Sequence, residues 1–256
     1  MQNNPNSNEL CYNIRQLITS KMTELNRPDL YRAPITAFSD ATDTRYQELK
    51  KIVGEWHMNP EELLTDARSV ISFFVPFTKE VIEEPGLTES PSLWAETYTI
   101  INNYFDNISE AITKYLIAQG FSALAIRATH TFDPKDLKSM WSHRSAAAIA
   151  GLGAFGTNRL LITEKGSGGR FCTVLTSASL DERLNAADER CYNIKDGSCG
   201  QCIKVCPVNT LPNLDKFACW NHIKKVEAKL RSEGVATADI CGKCISVCPV
   251  SYIEAD

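Results

Sequence analysis

Eight of the ten cysteines lie between Cys191 and Cys248, and most of them fall into two copies of one pattern. The first copy is Cys199-x2-Cys202-x3-Cys206-Pro207, "CGQCIKVCPV"; the second is Cys241-x2-Cys244-x3-Cys248-Pro249, "CGKCISVCPV". One more cysteine precedes each copy, Cys191 and Cys219, so the thiols come as two sets of four. The usual first cysteine of such a motif is absent at Asp196 and Ala238, and one further upstream replaces it. In a reducing compartment this crowding argues for metal or cluster ligation rather than disulfides. In two-cluster bacterial ferredoxins the cysteine before proline ligates the other cluster. That rule expects one [4Fe–4S] cluster on Cys191, Cys199, Cys202 and Cys248, and a second on Cys219, Cys241, Cys244 and Cys206. Two four-thiolate zinc sites use the same CxxC knuckles, but zinc gives no reason for the repeated x3-Cys-Pro ending. Electron relay is the minimum function the clusters imply. The isolated Cys11 and Cys172 stand apart, and Cys172, in the apolar run "RFCTVLT", reads as small core filler.

Ahead of the cysteines the chain alternates strand-like and helix-like segments. "ARSVISFFVPF" (67–77) is a compact run of β-branched and aromatic residues, expected to form a buried strand ended by Pro76. Residues 92–119 carry Phe105, Ile108, Ile112 and Leu116 at helical spacing, with Gly120 as the stop. "FSALAIRAT" (121–129) returns as a strand, "HRSAAAIAG" (143–151) as an alanine-rich helix, and "RLLIT" and "RFCTVLTS" as two strands around the turn "EKGSGG". The expected fold class is thus α/β or α+β over residues 1–185. "LDERLNAADER" is a charged connector, and residues 186–256 form a second, cysteine-rich unit. The net charge of −4 and the lack of a dense Lys/Arg cluster make nucleic acid an unexpected partner. No signal peptide or membrane-length apolar run is visible, so a cytoplasmic location is expected and a membrane partner is not.

"AGLGAFG" (150–156) contains Gly151-x-Gly153-x-x-Gly156. A dinucleotide fingerprint needs a strand before the first glycine and a helix after the third. Here the helix comes first and the strand follows, so the stretch reads as a helix-to-strand turn. His143 opens the preceding helix as a proton donor, a cofactor contact or simply a polar helix start. His130 reads as a loop histidine, His57 and His222 as surface or packing residues, and Trp141 as a core or interface aromatic. Trp220, beside Cys219, is placed to shield a cluster. "HIKKVEAKLR" (222–231) reads as a solvated helix face.

"SHRSAAAIAGLGAFGTNRLLIT", followed by "GRFCTVLTSASL" and the two cysteine motifs, resembles the epoxyqueuosine reductase family and its reductive dehalogenase relatives; "NPEELLTDARSVISFFVPF" fits the same pattern. The resemblance runs from about Pro60 to Pro249. It implies a nitroreductase-like α/β domain followed by a two-[4Fe–4S] ferredoxin-like module, with a cobalamin between them and the nearer cluster reducing its cobalt. Carried over, Gly151, Leu152, Gly153 and Gly156 face the corrinoid, and an upstream aspartate, Asp133 or Asp136, donates a proton. It further implies an oxygen-sensitive reductase of the kind found in anaerobes, supplied by a small electron donor of the ferredoxin or flavodoxin type. The alternative is a redox partner without its own cobalamin. Ala154 and Thr157 stand where the family commonly has an aromatic residue and a lysine. The sequence stops seven residues after Pro249, so the family's C-terminal tRNA-engaging region is not expected.

Overall fold

The computed structural model describes residues 6–127, 132–182 and 184–254. Helix α1 (Ser7–Leu25) opens the chain, with the Asn6 side chain accepting from Glu9 N–H at 2.9 Å. Strand β1 (Ile35–Asp40), helices α2 (Thr44–Ile52) and α3 (Pro60–Leu63), and strand β2 (Ser69–Pro76) follow. Next come α4 (Lys79–Leu87), the long α5 (Ser92–Ala118) and β3 (Ala123–Ile126). A small hairpin, β4 (Phe132–Asp133) with β5 (Lys138–Ser139), precedes α6 (His143–Ile149). Strands β6 (Gly153–Phe155), β7 (Leu161–Thr163) and β8 (Gly169–Thr176) complete the strands. The cysteine region carries α7 (Tyr192–Asp196), α8 (Gln201–Val205), α9 (Lys216–Ser232) and α10 (Lys243–Ser246).

The main sheet has the order β1-β2-β8-β3, and every pairing in it is antiparallel. The alternation of helices and strands therefore builds an α+β sheet rather than a parallel one. Strand β2 is buried along its whole length, and its period of two sends side chains to two cores. Ile71, Phe73 and Val75 face Leu10, Ile14 and Ile18 of α1 and Phe105, Ile108 and Ile112 of α5. On the other face Val70 packs with Tyr46 of α2 and Ile149 of α6, and Phe74 stacks on Phe171 at 4.3 Å. The result is a three-layer sandwich with helices on both faces. Cys172 is buried in the first core, with Sγ 3.5 Å from Ser109 Oγ.

The cysteine region shares that first core: Val226 and Leu230 of α9 and Ile240 are buried in it. Helix α10 lies against α4, where Gly242 (φ +76°) approaches Pro85 so closely that a Cβ would meet its ring at 2.6 Å. Ser167 N–H and Gly168 N–H, in the turn between β7 and β8, both donate to Ser251 O at 3.0 Å, tying the segment after Cys248 to the sheet. Among the described residues no helix is long and apolar enough to cross a membrane.

Candidate functional site

All ten cysteines carry free thiols. Cys191 stands at the N-terminus of α7, Cys199 in the loop before α8, Cys202 in α8 and Cys248 just beyond α10. Despite their separation in sequence, these four line one cleft with Thr157, Ile162 and Val250. The other four, Cys206, Cys219, Cys241 and Cys244, face one another as a second set. Cys202 lies within electrostatic reach of Cys244, so the two sets are neighbours. Among the described residues no three His, Cys, Asp or Glu groups converge closely enough to hold a single metal ion.

Burial pushes the Cys244 thiol up to about 12 and the Cys248 thiol up to about 11, in each case with neighbouring thiols adding to it. Cys191 goes the other way. Burial raises it, but hydrogen bonds from Thr157, Ile194 and Asn193 outweigh that and hold it below the ordinary thiol value. The N-terminal end of α7 therefore favours a thiolate at Cys191.

The glycine stretch serves these thiols. Helix α6 leads into it and β6 lies inside it, confirming the helix-then-strand order that rules out a nucleotide fingerprint. Gly151 takes φ +84°, and a Cβ there would meet Asn185 O at 2.7 Å. At Gly153, in the hairpin of β6 with β7, a Cβ would meet Ile162 O at 2.4 Å. Gly156 is covered by Ile162 and Cys191, and Leu152 is buried in the core beneath α6. Thr157 then donates its hydroxyl to Asn193 Oδ1 at 2.9 Å, with Cys191 Sγ 3.5 Å away. Asn193 Nδ2 donates to Cys199 O. Asn158 Nδ2 donates to Cys244 O at 3.3 Å, so adjacent residues reach the two thiol sets. Neither role was visible in the sequence, because polar residues after a glycine turn are common in any loop.

His143, at the start of α6, has both ring nitrogens engaged. Nε2 is 3.1 Å from Arg127 O, which can only accept, so Nε2 carries the proton and Nδ1 accepts from Thr173 Oγ1 at 2.8 Å. Trp141 Nε1 donates to the same hydroxyl oxygen at 2.9 Å. Burial pushes the His143 imidazole down to about 4, so it is neutral at pH 7. Asp133 and Asp136 lie on the small hairpin. Asp136 pairs with Lys138 at 3.0 Å, and that partner holds its carboxyl below the usual range. Asp133 is exposed and accepts from Lys135 N–H at 2.8 Å. Phe132 packs edge-on to Trp220 at 5.4 Å, which brings the hairpin to the residue beside Cys219. His130 lies outside the described residues. His57 is buried and stacks on Trp141 at 5.6 Å, a packing role.

Fold and site together define a class: an antiparallel α+β sandwich joined to a segment that presents two neighbouring sets of four thiols. No family model matches the chain. In sequence it is similar to the epoxyqueuosine reductase of Lactococcus garvieae, 27% identical over 187 residues, covering 70% of this chain. The chain spans about half the length of that curated relative, 48%. Solved epoxyqueuosine reductases share the fold. The Streptococcus thermophilus structure matches at TM-score 0.55 and 18% identity, covering 95% of this chain and 68% of that one. The Bacillus subtilis structure, with its catalytic aspartate loop swung out of the active site, matches at 0.54 and 16%, covering 93% and 66%. A structure in complex with an epoxyqueuosine-modified tRNA stem loop matches at 0.59 and 15%, covering 97% and 68%. That neighbour holds RNA, so the comparison lends no support to the expectation that nucleic acid is foreign to this fold.

Proposed function

We propose that the chain is an oxidoreductase of the epoxyqueuosine reductase type, with residues 186–256 acting as a ferredoxin-like module docked on the domain of residues 1–185. In this reading Cys191, Cys199, Cys202 and Cys248 hold one [4Fe–4S] cluster and Cys206, Cys219, Cys241 and Cys244 the other. The crossing carries the reading: the last cysteine of each motif lies among the thiols of the other set. The donor set fits the group, offering four sulfurs per site, apolar neighbours and hydrogen bonds to Cys191 Sγ. Structural zinc also takes four thiolates, but it gives no reason for the x3-Cys-Pro ending that both motifs share. Bound there, the clusters would accept and pass on single electrons.

The chain's own residues give the path a direction. Tyr192 and Ile194, exposed beside Cys191, rim the outer set and suit a small donor protein of the ferredoxin or flavodoxin type. Cys244 of the inner set lies within reach of Arg144 on α6, where a substrate would be reduced. Of the three expected proton donors, His143 is engaged at both nitrogens and Asp136 is paired. Asp133, with no ion pair among the described residues, is the proposed donor. The stretch does not offer the corrinoid face the resemblance implied, because the chain itself covers Gly151, Gly153 and Gly156 and buries Leu152. Kinship with enzymes favours this reading over a non-catalytic electron carrier.

Anaerobic purification and reconstitution tests the proposal. About eight irons and eight sulfides per chain are expected, and Cys206→Ser and Cys248→Ser should each lower the iron count, with the cluster that loses its ligand affected most. Fewer than about four irons with zinc present would overturn it. Turnover of an epoxyqueuosine-bearing stem loop by the dithionite-reduced protein would extend the relatives' substrate to this chain.

A further inference from the structure

Arg144, in the first turn of α6, is exposed to solvent. The charged and titratable groups that face it are Arg170, Tyr98 and Cys244, with no carboxylate among them. Its only hydrogen-bond partner among the described residues is Arg159 O, at 3.1 Å from Nη1. Arg170, on β8, sits 4.5 Å above the Tyr98 ring and donates from Nε to Asn102 Oδ1 at 3.1 Å. Both of its terminal nitrogens are without a partner among the described residues. Asn102 is 9% exposed, and its Nδ2 donor has no partner either. Asp106, one turn further along α5, is exposed and forms no ion pair with either arginine.

Arginine keeps its proton in proteins, so both charges persist. His143 beside them is neutral and both its nitrogens are occupied, so it supplies neither countercharge nor acceptor. Two fixed cations and an orphaned amide donor, with no acid facing them among the described residues, make a site open to an anion. Planar guanidinium forks match the oxygens of a carboxylate or phosphate in pairs. We infer that Arg144 and Arg170, with Asn102, form a binding site for a small oxyanion, a carboxylate or a phosphate group, near Cys244. Calling that ligand part of the substrate rests on the oxidoreductase reading; the site itself does not. The reduced molecule would then be anchored by its anionic group, with its reducible part turned toward Cys244.

The test is calorimetric titration of the anaerobically prepared protein at low salt, with inorganic phosphate and with acetate in separate arms. Saturable binding is expected in at least one arm, weakened about tenfold or more in both Arg144→Gln and Arg170→Gln; the arm that responds identifies the source of the oxyanion. No millimolar binding in either arm by the wild type would overturn the inference. So would an Arg170→Gln variant that binds like wild type, with only Arg144→Gln changing the visible spectrum: the thiol set would then be the sole counter-charge. As a control independent of variant folding, phenylglyoxal labelling of wild-type Arg144, read by peptide mass, should slow on saturation with the anion; unchanged labelling counts against the site. Iron content is measured in the same samples. Anion binding in iron-free protein would leave the site standing while the cluster reading fell, and full iron without anion binding would do the reverse.

Discussion

His143 donates to Arg127 O, accepts from Thr173, and sits where burial holds it near 4, and the buried His57 and half-buried His222 share its direction. Burial also lowers His57 and His222 from the usual 6.5. The unfolded chain takes up protons at these sites that the folded chain refuses. Their contribution is therefore complete above about pH 6.5 and is lost as the pH falls from there toward about 4, on the order of 3 kcal/mol from His143 alone. Urea titrations across that interval should show the midpoint falling with acidification; a midpoint flat from pH 7 to pH 4.5 would contradict the burial argument. His57 adds a sharper case, since neither of its ring nitrogens finds a hydrogen-bond partner among the described residues. His57→Phe keeps the stack on Trp141 and removes two unsatisfied polar atoms, so its stability should be within about 1 kcal/mol of wild type or above it. Gly153→Ala should behave oppositely. Its Cβ would strike the Ile162 carbonyl oxygen, and a loss of about 1–3 kcal/mol by thermal melting is expected.

At the scale of elements, α5 depends on a side chain outside it: both Glu84 carboxylate oxygens accept from its first turn, from Leu93 N–H at 3.0 Å and Trp94 N–H at 2.7 Å. Glu84→Ala should cost about 1–2 kcal/mol, read as a lower urea midpoint with an unchanged m-value. Helices and strands with strong internal pattern were legible in the sequence. Strand β2 announced itself by its apolar run, α5 by its 3.6-residue period and Gly120, and α6 by its alanines. Helix α1 and strand β1 were missed, although Leu10, Cys11, Ile14 and Ile18 share one face, because polar residues dilute the stripe. Antiparallel pairing of β2 with β8 joins segments about a hundred residues apart, and no local signal specifies it. The two thiol sets were read from motif spacing, and in the structure Cys248 lies with Cys191, Cys199 and Cys202, and Cys206 with Cys219 and Cys241. What Thr157, Asn158, Arg144 and Arg170 touch depends on where the turns and the sheet bring them, which no local pattern encodes.

Across the whole molecule, the cysteine region and the sandwich share a core through Val226, Leu230 and Ile240. Leu230→Ala should therefore lower stability by about 2–5 kcal/mol, with far-UV and near-UV signals still melting together; a separate early transition would show that the cysteine region unfolds alone. The turn after the glycine stretch gives this unity a further consequence. Thr157 engages the segment around Cys191 while its neighbour Asn158 engages the backbone at Cys244. On the two-cluster reading, iron entering either pocket fixes a dipeptide whose other half shapes the second pocket. Loading should then be cooperative, with half-filled chains scarce at every stage of an iron titration, and Asn158→Ala should restore two independent fillings.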